Sequence, residues 1–151
     1  MASQYPADMD RRKQSQRKLQ SLVQTRTETL SLLAELAGSQ PFSPDPTNND
    51  TLRRFCQALM DYAASAQFQL YRYIADNRER RQSVIDVAEK IYPRIVETTD
   101  VILRFNDKYE SMSVENSVEF LDVDLSSLGE TLAERIQLED QVISAMGGAV
   151  H

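Results

Sequence analysis

The apolar residues between positions 83 and 109 recur at the spacing of an α-helix, and no other feature constrains the fold of this chain as much. Their spacings are three, four or seven residues, so a helix would carry them on one narrow stripe: Val84, Ala88, Ile91, Ile95, Ile102, Phe105 and Tyr109. Such a stripe faces a hydrophobic core. Pro93 lies on the far side of this helix and deletes the hydrogen bond to the carbonyl of Glu89. It is expected to kink the helix or to split it in two.

Three further segments show the same periodicity and are also expected to be helices. Their expected bounds are, in chain order, Asp8 to Ala37, Asn49 to Asn77, and the end of the loop SMSVENS to Met146. The proline-rich loop GSQPFSPDPTNN separates the first from the second, and Asn49 or Asp50 would cap the second. Four amphipathic segments without an alternating strand pattern predict an all-α, up-and-down four-helix bundle with a proline-kinked third helix. The alternative is a looser helical array from which the third helix departs.

The length of 151 residues predicts a single domain. The bundle would span residues 9–146, between a flexible N-terminus at 1–8 and a flexible tail at 147–151. The N-terminus MASQYPADMD lacks the apolar run of a signal peptide, and no stretch approaches the ~20 apolar residues that span a bilayer. A soluble, cytoplasmic protein that does not contact membranes is expected.

Charge is divided unevenly along the chain. The net charge is -6, yet residues 97–151 carry twelve acidic and three basic side chains, whereas the preceding residues are net basic. An acidic half repels nucleic acid and attracts basic protein surfaces, although a solvated acidic face is the commoner meaning of such a pattern. The basic run at residues 11–18 has no interleaved aromatics and is only a weak signal for nucleic acids. No direct binding of nucleic acid is expected.

Most catalytic and cofactor chemistry is excluded by residue type. The only histidine is His151, the last residue, so a histidine-based metal site in the bundle is not expected. Cys56 is the only cysteine; it cannot form an internal disulfide and has no histidine to activate it. No glycine-rich phosphate loop is present. A non-enzymatic protein without catalytic residues, metal or cofactor is predicted.

The polar face of the second segment is a candidate binding surface. Opposite its apolar stripe lie a set of mostly polar residues and one large aromatic: Arg54, Gln57, Asp61, Ser65, Phe68 and Arg72. An aromatic residue in the middle of a polar face is a candidate docking point for a partner.

Three charged residues lie on or beside apolar stripes and are candidates for an interior polar network. Arg26 would either extend to the edge of the core or meet an acid. Arg135 and Glu139 are spaced i, i+4 in an order that does little for an isolated helix. They form a boundary salt bridge, an interior network with Arg26 or Asp61, or an anchor for a partner. A further hypothesis is a small-molecule sensor with a cavity lined by Arg26, Arg135 and Glu139.

Three stretches resemble the Rsd/AlgQ family of bacterial regulators of the RNA polymerase sigma subunit. FCQALMDYAASAQF followed by LY resembles the family's second helix, IYPRIVETTDVILRFND its third, and LGETLAERIQLEDQVI its fourth. Gln67 stands where the family has histidine. The matching positions are Phe55, Cys56, Leu59, Asp61, Tyr62, Phe68 and Tyr71, and then Gly129, Glu130, Leu132, Arg135, Leu138, Glu139, Asp140 and Ile143.

The resemblance implies a helical bundle that binds region 4 of a sigma factor and limits its use by core polymerase. The expected partner-binding residues, on the polar face of the second segment and on the fourth, are Asp61, Ser65, Phe68, Arg72, Glu134, Arg135 and Glu139. Asp61 is expected to meet a sigma arginine through a charge-assisted hydrogen bond. A monomer or homodimer is expected. The alternative function is a helical interaction or oligomerisation module that binds another basic, transcription-related protein.

Overall fold

Four long helices make up the described part of the chain in the computed structural model, which describes residues 5–38, 46–67, 71, 81–110 and 118–147. They are α1 (Tyr5–Ala37), α2 (Pro46–Ala66), α3 (Gln82–Glu110) and α4 (Val118–Ala145). No strand occurs in these ranges. The all-α class and the four-helix architecture are confirmed. None of the described helices is both long and apolar enough to cross a lipid bilayer.

Contacts between the helices show that each runs antiparallel to the next. Phe55 packs on Phe105 with ring centroids 5.8 Å apart, and Tyr71 packs on Tyr92 at the other end of the same interface. Lys108 binds Asp124 between α3 and α4 at 2.7 Å. α1 packs on α2, α2 on α3 and α3 on α4, and a smaller interface joins α4 to α1. The bundle is therefore a closed up-and-down ring.

The core is formed by the apolar stripes of the four helices, as the helical periodicity predicts. Its fully buried side chains come from all of them and include Leu22, Leu36, Leu52, Phe55, Leu59, Ile102, Leu121, Leu128 and Leu132. Burying an aliphatic or aromatic side chain of this size stabilises a fold by about 1.5–3 kcal/mol. The polar residues that share this interior therefore stand out.

The starts of α1 and α2 differ from the predicted ones. α1 begins three residues before Asp8, and α2 begins at Pro46. Asn49 and Asp50 consequently lie inside α2 and neither caps it, so that prediction was wrong. A proline fits the first helical turn because its φ is already helical and its missing N–H has no partner there. The regular α-helix ends at Ala66, and the predicted end at Asn77 lies outside the described residues.

Pro93 lies inside α3, which runs as one helix of 29 residues from Gln82 to Glu110. A split at the proline, the second of the two expected outcomes, does not occur. The ring is on the exposed side of the helix, so it does not enter the core. A kink at Pro93 stays a prediction. Since α3 packs against both α2 and α4, the looser array with a departing third helix is not the observed fold.

Candidate functional site

A buried ionic network centred on Glu139 occupies the interior of the bundle. The Glu139 side chain is 0% exposed, and its two oxygens accept hydrogen bonds from different helices. The Tyr62 hydroxyl on α2 donates to Oε1 at 2.5 Å. Nε of Arg135, one turn earlier on α4, donates to Oε2 at 3.1 Å. Both carboxylate oxygens are therefore satisfied without water.

The Arg135 guanidinium is held on its other side by α3. It is 2% exposed and donates to Thr98 Oγ1 at 3.1 Å and to Thr99 Oγ1 at 2.8 Å. Its central carbon also lies 5.4 Å from the centroid of the Tyr62 ring, a cation–π geometry. A buried cation is tolerated only when its charge and its donors are matched in this way. Arg135 thus ties α4 to both α2 and α3.

Arg26 joins α1 to the same network and meets acids there, one of the two outcomes expected for it. Its Nη1 donates to Asp140 Oδ1 at 2.9 Å and lies 3.6 Å from Glu139 Oε1. The Arg26 side chain is buried, whereas that of Asp140 is 40% exposed. The pair closes the seam between α1 and α4, which is the smaller of the interfaces around the ring.

Burial governs the protonation of the network. Removal from water raises the pKa of the Glu139 carboxyl, although the Arg135 and Arg26 guanidiniums and the Tyr62 hydroxyl oppose the rise. Burial, followed by the negative charge of Glu139, raises the pKa of Tyr62 and also that of Tyr71. Both tyrosines are therefore neutral at physiological pH, and the Tyr62 hydroxyl is a donor to Glu139.

The structure brings Arg26, Arg135 and Glu139 together, but Asp61 is not part of the network. Asp61 is exposed on the outer face of α2, where its Oδ1 accepts a hydrogen bond from Gln57 Nε2 at 3.1 Å. Because the three interior side chains contact one another, they fill the interior instead of lining an open cavity. The geometry therefore does not favour a small-molecule sensor at this place.

The expected partner-binding residues do not form one patch. Arg135 and Glu139 are buried and present no surface to a partner. The Ser65 hydroxyl is enclosed and has no hydrogen-bond partner among the described residues. Glu134 lies at the α3/α4 seam, where Arg94 Nη2 donates to its Oε2 at 2.7 Å and Arg94 Nε donates to its other oxygen. Phe68 and Arg72 lie outside the described residues. Of this set, Asp61 is an exposed charge that forms no ion pair with another described residue.

Sequence reasoning missed several members of the network. The resemblance singles out Tyr62 as a matching position without giving it a polar role, and neither of the two threonines on α3 was predicted to take part. Two signals could have found them. A buried tyrosine needs a partner for its hydroxyl, and Thr98 interrupts the apolar stripe of α3 between Ile95 and Ile102. Polar residues on core stripes of three helices predict a shared network more firmly than the charged pair on α4 alone.

Cys56 is buried in the core, with 2% of its surface exposed. Burial, aided by the nearby charge of Glu110, raises the pKa of its thiol from 9.0 to about 12. At pH 8 the thiolate is then roughly a thousandfold rarer than for an ordinary cysteine. We expect the folded protein to react with a thiol reagent such as DTNB at least a hundredfold more slowly than the urea-unfolded chain. Equal rates in the two states would show that the thiol is accessible and not part of the core.

Within the described ranges, no group of three or more His, Cys, Asp or Glu side chains is placed to hold a metal ion. The polar groups of the network bond mainly to one another and leave no acid or base facing an open pocket. Chemically, the arrangement stabilises and aligns four helices. The features that a partner can reach are the outer faces of those helices.

Several known proteins that share one name are similar to this chain. A protein named Regulator of sigma D from Yersinia enterocolitica is 35% identical over 101 residues, covering 65% of this chain and 60% of that protein. One of the same name from Yersinia pestis is 36% identical over 101 residues, covering 65% of this chain and 59% of that protein. Another protein of this name, from Salmonella paratyphi B, is 32% identical over 106 residues, covering 69% of this chain and 64% of that protein.

The chain spans about 60% of the length of the curated relatives it matches first. No solved structure matches it with statistical significance. The family model described as "Regulator of RNA polymerase sigma(70) subunit, Rsd/AlgQ" matches residues 1–147, which is nearly the whole chain. The buried Arg135–Glu139 pair and the exposed Asp61 lie within this match, and the chain belongs to the Rsd/AlgQ family.

Proposed function

We propose that this chain binds the sigma(70) subunit of RNA polymerase through sigma region 4 and limits the use of that subunit by core polymerase. The observation that carries the proposal is the match of the family model to residues 1–147. The name Regulator of sigma D, carried by relatives 32–36% identical to this chain, supports it. The acidic half at residues 97–151 suits a basic partner and disfavours direct contact with nucleic acid.

Asp61 is the residue through which we expect the partner to be recognised. It is exposed on the outer face of α2, within the last two turns of that helix, and makes no ion pair with another described residue. A carboxylate of this kind can accept a charge-assisted hydrogen bond from a partner arginine without first breaking an internal salt bridge. Phe68 and Arg72, which lie outside the described residues, remain proposed contacts. Glu134 is a weaker candidate, since Arg94 already binds it.

Arg135 and Glu139 act on binding indirectly in this proposal. Their network fixes α2 against α3 and α4 through Tyr62 and the α3 threonines. The outer face of α2 is thereby held in one orientation, which reduces the entropy lost when a partner docks. We further propose that the protein works without catalysis, in the cytoplasm, as a monomer or homodimer.

The proposal is tested by titrating the full chain with the full-length primary sigma subunit, intact or lacking region 4. Asp61→Ala is expected to weaken binding by about 2 kcal/mol, or about 30-fold, as truncation of a hot-spot residue does. Asp86→Ala is the matched control, because Asp86 is also exposed and also accepts a hydrogen bond from a glutamine one turn earlier, Gln82, at 2.7 Å. It should leave the dissociation constant within about twofold of wild type.

Two results would contradict the proposal. No binding of intact sigma by the wild-type chain would remove the sigma partner altogether. Equal affinity for sigma with and without region 4 would move the contact elsewhere on that subunit. If the wild-type chain binds sigma, but Asp61→Ala and Asp86→Ala weaken that binding equally, the effect is one of overall charge. Asp61 then has no specific role.

A further inference from the structure

One flank of α3 exposes three large apolar side chains in a row. Tyr92, Val96 and Leu103 are 42%, 43% and 39% exposed. Their spacings of four and seven residues place them on the same side of the helix, along about 17 Å of its length at 1.5 Å per residue. Half of the large hydrophobic residues that are exposed in the described chain lie on this one stripe. Such clustering is typical of an interaction surface.

The stripe lies on the flank of α3 that borders α2. The opposite flank faces α4, since it carries Arg94 and Lys108, which bind Glu134 and Asp124. Tyr92 contacts Tyr71, just beyond the end of α2, with ring centroids 5.7 Å apart. Met60 and Ala64, half-buried and exposed, follow Cys56 at intervals of one turn on α2, and Cys56 lies close enough to Glu110 of α3 to feel its charge. The seam between these two helices, the α2/α3 groove, therefore has apolar side chains on both sides.

The outer edge of this groove is acidic. Glu89, Asp100 and Asp107 follow the apolar stripe on its solvent side, at 100° of rotation per residue. All three are exposed, and none forms an ion pair with another described residue. Arg104 lies farther from the stripe, toward α4. The edge thus presents uncompensated negative charge beside an apolar surface along most of α3.

We propose that the α2/α3 groove receives one amphipathic helix of sigma region 4. In this arrangement the apolar side of that helix covers Tyr92, Val96 and Leu103, and lysine or arginine residues along its edge meet Glu89, Asp100 and Asp107. The inference rests on the proposed sigma binding and names where on this chain the partner lies. Helix-in-groove docking with a charged rim is a common mode of peptide recognition.

Charge complementarity selects this occupant. A basic amphipathic helix supplies the cations that the acidic edge lacks, and long-range attraction speeds its approach. A second copy of this chain carries a net charge of -6 and would on the whole be repelled by the acidic edge. Asp61 follows Met60 but is rotated from it by 100° around α2, onto the outer face of that helix. A two-helix partner can therefore contact the groove and Asp61 together.

The test compares sigma binding by full-length variants, each checked for an unchanged melting temperature. Val96→Ser combined with Leu103→Ser should weaken binding about tenfold or more, because it removes the apolar centre of the interface. The control is Val123→Ser, since Val123 is 68% exposed on α4, outside the groove. It should change affinity less than about twofold.

Asp100→Lys with Asp107→Lys should slow association and flatten its salt dependence, whereas Glu28→Lys on α1 should change the rate far less.

The outcomes separate this inference from the proposed function. If wild type binds sigma and Asp61→Ala weakens binding while the α3 variants do not, the sigma function stands and the groove inference is overturned. The groove inference is also overturned if Val123→Ser weakens binding as much as the α3 pair does. If wild type does not bind sigma at all, the proposed function fails and the groove inference fails with it. Loss of binding in the α3 variants, with Val123→Ser unaffected, supports the groove.

Discussion

Replacing Glu139 by alanine should lower the free energy of unfolding by about 3–5 kcal/mol, the loss typical of breaking a buried ion pair from one side. The carboxylate is 0% exposed and is shared by Tyr62, Arg135 and, at 3.6 Å, Arg26. Its removal leaves Arg135 inside the bundle without its counterion and Tyr62 without an acceptor. Denaturant unfolding, followed by far-UV circular dichroism, measures the difference directly.

Two further variants identify the physical cause of this loss. Glu139→Gln keeps the side-chain volume and one acceptor oxygen. Its amide is neutral, and burial already favours the neutral form of Glu139 by raising the pKa of that carboxyl. We therefore expect the glutamine variant to be clearly more stable than the alanine variant. Glu134 lies on α4, as Glu139 does, but forms an exposed salt bridge with Arg94 of α3. Glu134→Ala should therefore leave the unfolding midpoint unchanged. Equal destabilisation by Glu139→Ala and Glu134→Ala would rule out an essential interior network.

The helical elements could be predicted from the sequence because apolar spacing alone defines them. The stripe on α3 from Val84 to Tyr109 is buried as expected. The helix starts were less predictable, since a proline and an asparagine compete as start signals before α2. Helix propensity favours one start of α2 and capping favours another a few residues away, by similar free energies of the order of 1 kcal/mol. Packing of the whole helix then decides between them.

The interior network was only partly predictable, because a helical wheel gives the direction of a side chain but not its depth. Arg26, Arg135 and Glu139 could be placed on or near core stripes. Their burial depends on how far the helices approach one another, and that distance is a property of the assembled bundle. The contribution of Thr98 and Thr99 depends on the register of α3 against α4, which no single-helix pattern contains. The exposed stripe on α3 was missed for a related reason, since it borders the buried one.

Replacing Arg135 by methionine should destabilise the fold by about 3–5 kcal/mol at neutral pH, and the loss should shrink as the pH is lowered. Methionine fills similar space but removes the cation that most opposes the effect of burial on Glu139. The pKa of Glu139 in the folded variant therefore rises further above the ordinary value of 4.5. Between that value and the raised one, the folded state binds a proton that the unfolded state does not.

The sign of the pH effect follows from this difference in bound protons. Stability falls with rising pH wherever the folded state binds more protons, so the contribution of Glu139 is fully present below pH 4.5 and is lost as the pH passes its raised pKa. Wild type should show the same direction with a smaller amplitude. Unfolding curves from about pH 5 to pH 8 test this, with Arg94→Met as the exposed control. A stability difference between Arg135→Met and wild type that is constant with pH, or that grows toward acid, would show that Glu139 is not the group left uncompensated.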